Sequence, residues 1–151
     1  MIKIICVGKL KEQYLKDAVE EYKKRLSKYT DLEIIEVPDE GLFDDNKTLK
    51  IEGESILKHI SNKDYIITLE IDGKNISSPE LAEKLDNIFL TNNTITFIIG
   101  GSLGLDDEIK KLSNYKLSFG KMTFPHQLFR VLLLEQIYRC FKINNNESYH
   151  K

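Results

Sequence analysis

Five short apolar runs alternate with segments that have the periodicity of amphipathic helices, and this alternation limits the possible folds more than any other feature of the chain. The runs have the length of buried strands and lie at residues 2–7, 32–37, 65–71, 94–99 and 115–119. Strands separated by helices need crossover connections, which produce a mainly parallel sheet with helices on both faces. The sequence therefore predicts an α/β fold with five to six strands, formed as a single domain over residues 1–151.

The boundaries of several elements can also be predicted. The third strand is expected to end at the turn pair Asp72-Gly73. Ser78 has the chemistry of an N-cap and Pro79 suits a first turn, so a helix should begin there. The last helix should begin at Pro125 and run to about residue 141.

Composition limits the class of protein. The chain has 151 residues, of which 41% are hydrophobic and 30% charged, as in globular domains. Its longest uninterrupted apolar run, residues 131–134, is far shorter than the about 20 residues of a membrane-spanning helix. The apolar part of the first nine residues is too short for a secretory signal, and two cysteines cannot make a disulfide framework. We therefore expect a cytoplasmic protein with no membrane partner.

The net charge of −2 conceals an uneven distribution. Residues 1–30 carry a net charge of +4, residues 31–115 a net charge of −10, and residues 116–151 again +4. A polyanion responds to the local potential rather than to the total charge, so a nucleic-acid partner stays open.

The last helix is apolar around nearly its whole circumference. A helix of this kind must be buried on more than one side, and a second copy of the chain is the simplest cover for the second side. We therefore expect a homodimer packed through this helix, whose apolar residues are Leu128, Phe129, Val131, Leu132, Leu133, Leu134, Ile137, Tyr138 and Phe141.

Ligands of parallel α/β sheets bind beyond the carboxyl ends of the strands, and three of these ends have unusual residues. They are residues 69–73, 98–102 and 119–124. The paired glycines Gly100 and Gly101 would let the backbone approach a ligand closely, although a tight turn would explain them equally well. The segment lacks both the dinucleotide fingerprint and the phosphate-binding loop, which weakens an oxidoreductase or nucleoside-triphosphatase assignment.

Side chains with catalytic chemistry are few. The three histidines have no metal-ligand spacing, so no metal site is predicted. Arg139 could pair with Glu135 four residues earlier or contact an anion. The tail residues Tyr149 to Lys151 form either a frayed end or a group that stacks on a nucleobase and deprotonates it.

Four segments, taken together, carry a family resemblance along the whole chain. They are LSFGKMTFPHQLFRVLLLEQIYRCF at residues 117–141, IIGGSLGL at 98–105, the opening IKIICVGKLKEQY and the closing YHK. In order and spacing they resemble the ribosomal RNA large-subunit methyltransferase H family of the SPOUT superfamily. The resemblance implies a carboxyl-terminal trefoil knot, a homodimer and S-adenosylmethionine as methyl donor. It also implies N3 of a pseudouridine in 23S ribosomal RNA as acceptor, in the assembled 70S ribosome.

The resemblance also implies the residues of the donor pocket, namely Leu69, Gly100, Phe119, Gly120, Lys121, Met122, Thr123 and Phe124. For such a reaction the N3 proton must leave, which requires a base or a positive charge beside the developing anion. Our candidates are His150 as the base, Tyr149 as the group that positions the nucleobase, and Arg139, Arg130 and Lys151 as contacts to the anion or to RNA phosphate.

Two departures from the family pattern are visible. Asn146-Glu147-Ser148 stands where a glycine or proline is usual, and Gly120 stands where serine or alanine is common. The first puts the path of the tail in doubt. Two alternatives stay open: a nucleotide-binding oxidoreductase or hydrolase, which the absent fingerprints weaken, and a ribosome-associated factor without enzymatic activity, for which the basic ends alone would suffice.

Overall fold

The structure is a computed structural model that describes residues 1–41 and 43–151. Helices and strands alternate along the chain almost throughout, as the hydrophobic pattern predicts. The strands are β1 (Ile2–Val7), β2 (Leu32–Val37), β3 (Tyr65–Asn75), β4 (Ile95–Ile99) and β5 (Tyr115–Ser118). The helices are α1 (Gln13–Leu26), α2 (Asp45–Leu57), α3 (Ser78–Phe89), α4 (Asp107–Leu112) and α5 (His126–Asn144).

The five strands form one parallel sheet in the order β2-β1-β4-β3-β5. The central strand β4 is buried along its whole length, and its Phe97 pairs with Ile4 of β1 and Ile67 of β3. The sheet confirms the predicted α/β class. Because all strands are parallel, their carboxyl ends share one edge, where a ligand site is expected.

Helices cover both faces of the sheet. Ile4 belongs to the core under α1, α3 and α5, whereas the next residue, Ile5, belongs to the core under α2 and α4. This alternation follows from the two-residue period of a strand, which sends successive side chains to opposite faces. Strands buried on both faces therefore appear in the sequence as continuous apolar runs.

Strand β3 does not end at Asp72-Gly73 as predicted. It continues to Asn75 through a bulge, at which Leu117 of β5 pairs with both Leu69 and Lys74. A Cβ atom on Gly73 would lie only 2.7 Å from the carbonyl oxygen of Lys116. Gly73 thus permits the close approach of β5, which is one of the usual reasons for a glycine within a strand.

The predicted cap of α3 is displaced by one residue. The hydroxyl of Ser77 accepts a hydrogen bond from the amide of Glu80 (3.2 Å), and the Glu80 carboxylate accepts one from the Ser77 amide (3.3 Å). This reciprocal pair is a capping box. Ser78 is instead the first helical residue, and its hydroxyl donates to Gln136 of α5 (2.6 Å).

The segment between β5 and α5, residues 119–125, connects two distant parts of the sheet. It leaves the edge strand β5 and reaches the end of β1, where a Cβ atom on Gly8 would lie 3.3 Å from Cε1 of His126. From there α5 packs against α1 and α3. The trefoil knot implied by the resemblance suits this path and stays a prediction.

Helix α5 begins one residue after Pro125 and extends three residues beyond the predicted end. No helix within the described residues is long and apolar enough to cross a membrane.

Candidate functional site

The main candidate site is a pocket of about 430 Å³ at the carboxyl ends of β3, β4 and β5. It forms where the three unusual strand ends of the sequence meet. Seven of the eight residues predicted for the donor pocket line it, namely Leu69, Gly100, Phe119, Gly120, Met122, Thr123 and Phe124. The eighth, Lys121, is exposed beside the pocket and does not line it.

One wall of the pocket is a tight backbone loop after β4. Gly101 and Gly104 form a bridge, in which the Gly104 amide donates to the Gly101 carbonyl (3.1 Å). A Cβ atom on Gly100 would collide with the backbone of Gly104. The glycines are therefore needed for the turn itself, and they also leave main-chain polar groups open to a ligand.

The opposite wall is aromatic. The rings of Phe119 and Phe129 have centroids 4.7 Å apart, and Phe124 lies 6.0 Å from Phe129. Met122, 79% exposed, stands at the mouth. A pocket with apolar walls and a few polar groups suits a flat heteroaromatic ligand.

Two acidic residues of the pocket lie in the predicted strand end at residues 69–73 but were given no role from the sequence. Glu70 and Asp72 both line it, and the Glu70 carboxylate accepts a hydrogen bond from the buried hydroxyl of Thr68 (2.6 Å). Thr68 and Glu70 are two residues apart on one strand, so they face the same side of the sheet. The two-residue spacing could therefore have indicated from the sequence that Glu70 lies on the same face as the buried Thr68.

A second cluster, which we call the tail cluster, consists of Glu135, Arg139, Tyr149 and His150. The Arg139 guanidinium lies 4.8 Å from the centroid of the Tyr149 ring, and its Nη1 lies 3.2 Å from Nδ1 of His150. Its Nε also donates to Glu135 Oε1 (2.8 Å), which is the predicted ion pair. The structure thus brings together the three residues predicted to be catalytic.

Contacts with the turn after α1 and with α5 hold Glu147 of the tail. The Glu147 carboxylate accepts from the Tyr29 hydroxyl (2.8 Å) and from Lys142 Nζ (2.9 Å), and these bonds lower the pKa of Glu147. Glu147 is one of the residues that depart from the family pattern. These bonds favour an ordered tail over a frayed one, although residues 145–148, 150 and 151 are exposed and Tyr149 is partly buried.

A family model described as "Predicted SPOUT methyltransferase" matches residues 1–150 of the chain. The chain belongs to the SPOUT methyltransferase family.

Relatives of this SPOUT methyltransferase match it over nearly its whole length. The ribosomal RNA large subunit methyltransferase H of Clostridium botulinum strain 657 is 54% identical, with 99% of each chain covered. The same enzyme from strain Langeland is 55% identical over the same share. These matches confirm the predicted membership of the large-subunit methyltransferase H family.

A solved structure supports the fold. A probable methylase family protein from Haemophilus influenzae Rd KW20 superposes with a TM-score of 0.57 at 16% identity. The superposition covers 99% of this chain and 70% of that one.

Within one copy of this SPOUT methyltransferase, the pocket and the tail cluster lie apart. His126, at the start of α5, lines the pocket, whereas Arg139 lies thirteen residues later on the same helix. At 1.5 Å per residue the separation along the helix axis is about 20 Å. The predicted donor and catalytic residues therefore do not meet in a single chain.

Arg130, predicted to contact RNA, points into the protein. It is 2% exposed, and its guanidinium donates to the Glu36 carboxylate (2.6 Å) and to the Gly8 carbonyl (3.1 Å). A phosphate has no access to it in this arrangement. Within the described part of the chain, no group of three or more His, Cys, Asp or Glu side chains could hold a metal.

Proposed function

We propose that this SPOUT methyltransferase transfers the methyl group of S-adenosylmethionine to N3 of a pseudouridine in 23S ribosomal RNA, on the assembled 70S ribosome. The observation that carries the proposal is the pocket at the three strand ends, in a chain 54% identical to named large-subunit methyltransferases. Residues 1–151 would act as a single domain, and a ribosomal substrate would place the enzyme in the cytoplasm.

The residues of the pocket fit this donor. Apolar walls from Leu69, Phe119 and Phe124 would enclose the adenine, and the glycine loop at Gly100 would bring main-chain groups to it. Bound S-adenosylmethionine supplies an already activated methyl group on a sulfonium, so no metal is required. The protein's main task is then to hold donor and acceptor at attack distance, which can lower a barrier by about 7 to 11 kcal/mol.

The tail cluster supports a specific role for His150. Arg139 carries a permanent charge and can only donate hydrogen bonds, so the close Nδ1 atom of His150 must be the acceptor. A neutral ring then carries its proton on Nε2. In this arrangement the N3 proton would pass to solvent water, to which the exposed tail is open. His150 would then donate a hydrogen bond from Nε2 to the pyrimidine anion that attacks the sulfonium methyl group, rather than serve as the base itself. Tyr149 would stack on the nucleobase, and Lys151 would contact phosphate.

A hydrogen-bond donor can be imitated by an amide, whereas a base cannot. We therefore expect His150→Gln to retain more of the kcat than His150→Ala, when both are measured by methyl transfer to ribosomes. Equal loss in the two variants would favour proton abstraction by the imidazole.

The separation of pocket and tail supports a homodimer with a shared site. Leu128, Leu132, Glu135 and Arg139 are spaced by four, three and four residues, so they form one stripe that runs along α5. A twofold axis through the middle of this stripe would pair α5 with an antiparallel copy. The tail cluster of one copy would then lie beside the pocket of the other.

Complementation tests the shared site. One variant lacks Tyr149 to Lys151, and the other carries Gly100→Val in the pocket; each should be inactive alone. Their coexpression should restore activity, because a mixed dimer contains one intact pocket facing one intact tail. A mixture that stays inactive while mixed dimers form would contradict the shared site.

The reaction itself can be tested with labelled S-adenosylmethionine and ribosomes from a strain that lacks the gene. We expect label in 23S ribosomal RNA of 70S particles, and mass spectrometry should identify an N3-methylated pseudouridine. Free RNA and 50S subunits serve as comparison substrates. Ribosome binding without methyl transfer would instead favour a factor with no enzymatic activity.

A further inference from the structure

We infer that Arg130 is a positioning residue, which fixes the first turns of α5 as a wall of the methyl-donor pocket. The inference rests on the proposed function, because its readout is the affinity for S-adenosylmethionine. It replaces the predicted contact of Arg130 with RNA.

The guanidinium of Arg130 joins three segments of the chain. Nη1 donates to Oε2 of Glu36 near the end of β2, and Nη2 donates to the carbonyl of Gly8 just after β1. The same Glu36 oxygen accepts from the amide of Leu10 (3.0 Å). Arg130 thus holds the loop after β1 both directly and through Glu36.

A further bond ties this loop to α5 one turn earlier. The Lys11 amide donates to Oε1 of Gln127 (3.1 Å), and a Cβ atom on Gly8 would lie 3.3 Å from Cε1 of His126. Gly8 has a φ of +94°, a conformation that favours glycine, so the loop bends sharply towards the helix. The start of α5 is therefore fixed by contacts on consecutive turns.

The residues held in this way belong to the pocket. His126 and Phe129 line it and lie four residues and one residue before Arg130 on α5, and the Phe129 ring packs on Phe119 and Phe124. A shift of the first helical turn would move this aromatic wall. Because binding geometry is sensitive to displacements below 1 Å, such a shift should weaken the ligand's contacts.

The ion pair between Arg130 and Glu36 is not explained by a gain in stability alone. Burying the Arg130 guanidinium costs desolvation energy, although the Glu36 side chain stays 34% exposed, and apolar residues of similar volume often replace buried ion pairs without loss. Here the Nε atom of Arg130 is also buried without a hydrogen-bond partner among the described residues. Burial alone would raise the pKa of Glu36, yet the bonds from Arg130 and Leu10 keep that pKa below its ordinary value. The pair is thus charged, and its bonds are directional.

The test separates positioning from stability. Arg130→Met and Glu36→Gln each break the pair, whereas the double variant Arg130→Met/Glu36→Leu replaces both charges by apolar groups. We expect both single variants to lower the Tm and the double variant to recover most of it. The double variant should still bind S-adenosylmethionine about tenfold more weakly, since the directional ties to Gly8 and Leu10 are gone.

Steady-state kinetics provides a readout that a purely structural role would not move. With the double variant, the KM for S-adenosylmethionine should rise while the kcat at saturating donor stays near that of the wild type. A smaller folded fraction would instead lower the kcat and leave the KM unchanged. If the double variant does not fold, Arg130→Lys takes its place. It should raise the KM for S-adenosylmethionine and leave the kcat unchanged, because a lysine reaches only one of the two acceptors, the Glu36 carboxylate or the Gly8 carbonyl.

The matched control is Lys111→Met/Glu108→Gln, which removes an ion pair whose side chains are 73% and 70% exposed on α4. It should leave the donor affinity unchanged. A double variant that keeps the wild-type affinity and KM for S-adenosylmethionine would overturn the inference about Arg130 but not the proposed function. A wild-type protein that does not bind S-adenosylmethionine would overturn the proposed function, and the inference with it.

Discussion

Single residues of the pocket show where a side chain has no room. Gly100 is the clearest case, because an added Cβ atom would meet backbone atoms of Gly104 rather than a side chain that could move aside. The sequence left a ligand cradle and a tight turn as equal explanations of these glycines. The structure shows that the turn itself requires Gly100, and the cradle stays a prediction that is compatible with the turn.

Gly100→Ala should therefore destabilise the loop and weaken donor binding. We expect a loss of about 1 to 3 kcal/mol in the free energy of unfolding, as for other forced overpacking. Urea unfolding and calorimetric titration with S-adenosylmethionine measure the two effects. Gly41→Ala, at a surface position where the nearest atom is 3.6 Å away, is the control. Equal behaviour of the two variants would show that the loop adapts.

Glu52 of α2 gives a prediction about pH. It is 4% exposed, its carboxylate accepts a hydrogen bond from the Glu40 amide (3.2 Å), and the Asp39 carboxylate lies nearby. Burial, followed by the nearby Asp39 carboxylate, raises the pKa of Glu52 above its ordinary value of 4.5. The folded protein thus binds this proton more tightly than the unfolded chain does. The resulting stability is present below pH 4.5 and is lost as the pH rises through the folded pKa.

Glu52→Gln should stabilise the protein at neutral pH and have little effect below pH 4.5. The amide imitates the protonated acid, because its oxygen can accept from Glu40 and its nitrogen can donate to Asp39. Urea unfolding at about pH 7 and about pH 4 gives the comparison. Glu54→Gln makes the same charge change at an exposed position of the same helix. A Glu52→Gln variant that is less stable than the wild type at neutral pH would contradict a raised pKa of Glu52.

Among the elements, α5 combines three functions. One side packs on α1 and α3, the start lines the pocket, and the stripe that begins at Leu128 lies partly open. The apolar circumference was visible in the sequence. Which part of it faces the protein's own core was not, because that depends on the direction in which α5 crosses the sheet.

Leu128→Glu tests the proposed use of the stripe. Leu128 is 38% exposed in one copy, and a carboxylate there would be desolvated in the proposed dimer. We expect the dimer dissociation constant to rise at least about a hundredfold in sedimentation experiments, with loss of methyl transfer. Leu90→Glu, at a leucine that is 80% exposed at the end of α3, should change neither. A stable, active Leu128→Glu dimer would exclude this interface.

At the scale of the whole molecule, tertiary structure changes the meaning of the charge pattern. The two basic ends come together, because α1 packs against α5. Six of their fourteen cations are already in ion pairs, namely Lys3, Lys23, Arg25, Arg130, Arg139 and Lys142. Of the others, Lys9 and Lys11 are exposed on the loop that contacts the start of α5, beside the pocket.

Lys9→Gln/Lys11→Gln should weaken binding to ribosomes without changing the affinity for the methyl donor. If both lysines contact phosphate, the slope of log affinity against log salt should fall by about 0.7 to 0.9 per lysine. The control Lys58→Gln/Lys63→Gln removes the same charge near the amino-terminal edge of the sheet. Unchanged ribosome binding in the first variant would place the RNA elsewhere on the surface.

The sequence by itself determined the α/β class, the order of the elements and the three strand ends at which the pocket lies. These properties follow from local period and from the geometry of parallel sheets, which act through neighbouring residues. Only the tertiary structure decided that Arg130 is buried, that β3 bulges near Gly73 and that Arg139 of the tail cluster lies about 15 to 20 Å along α5 from the pocket residues Phe129 and His126. Each of these depends on contacts between residues far apart in the chain, such as Arg130 with Gly8, which no local pattern encodes.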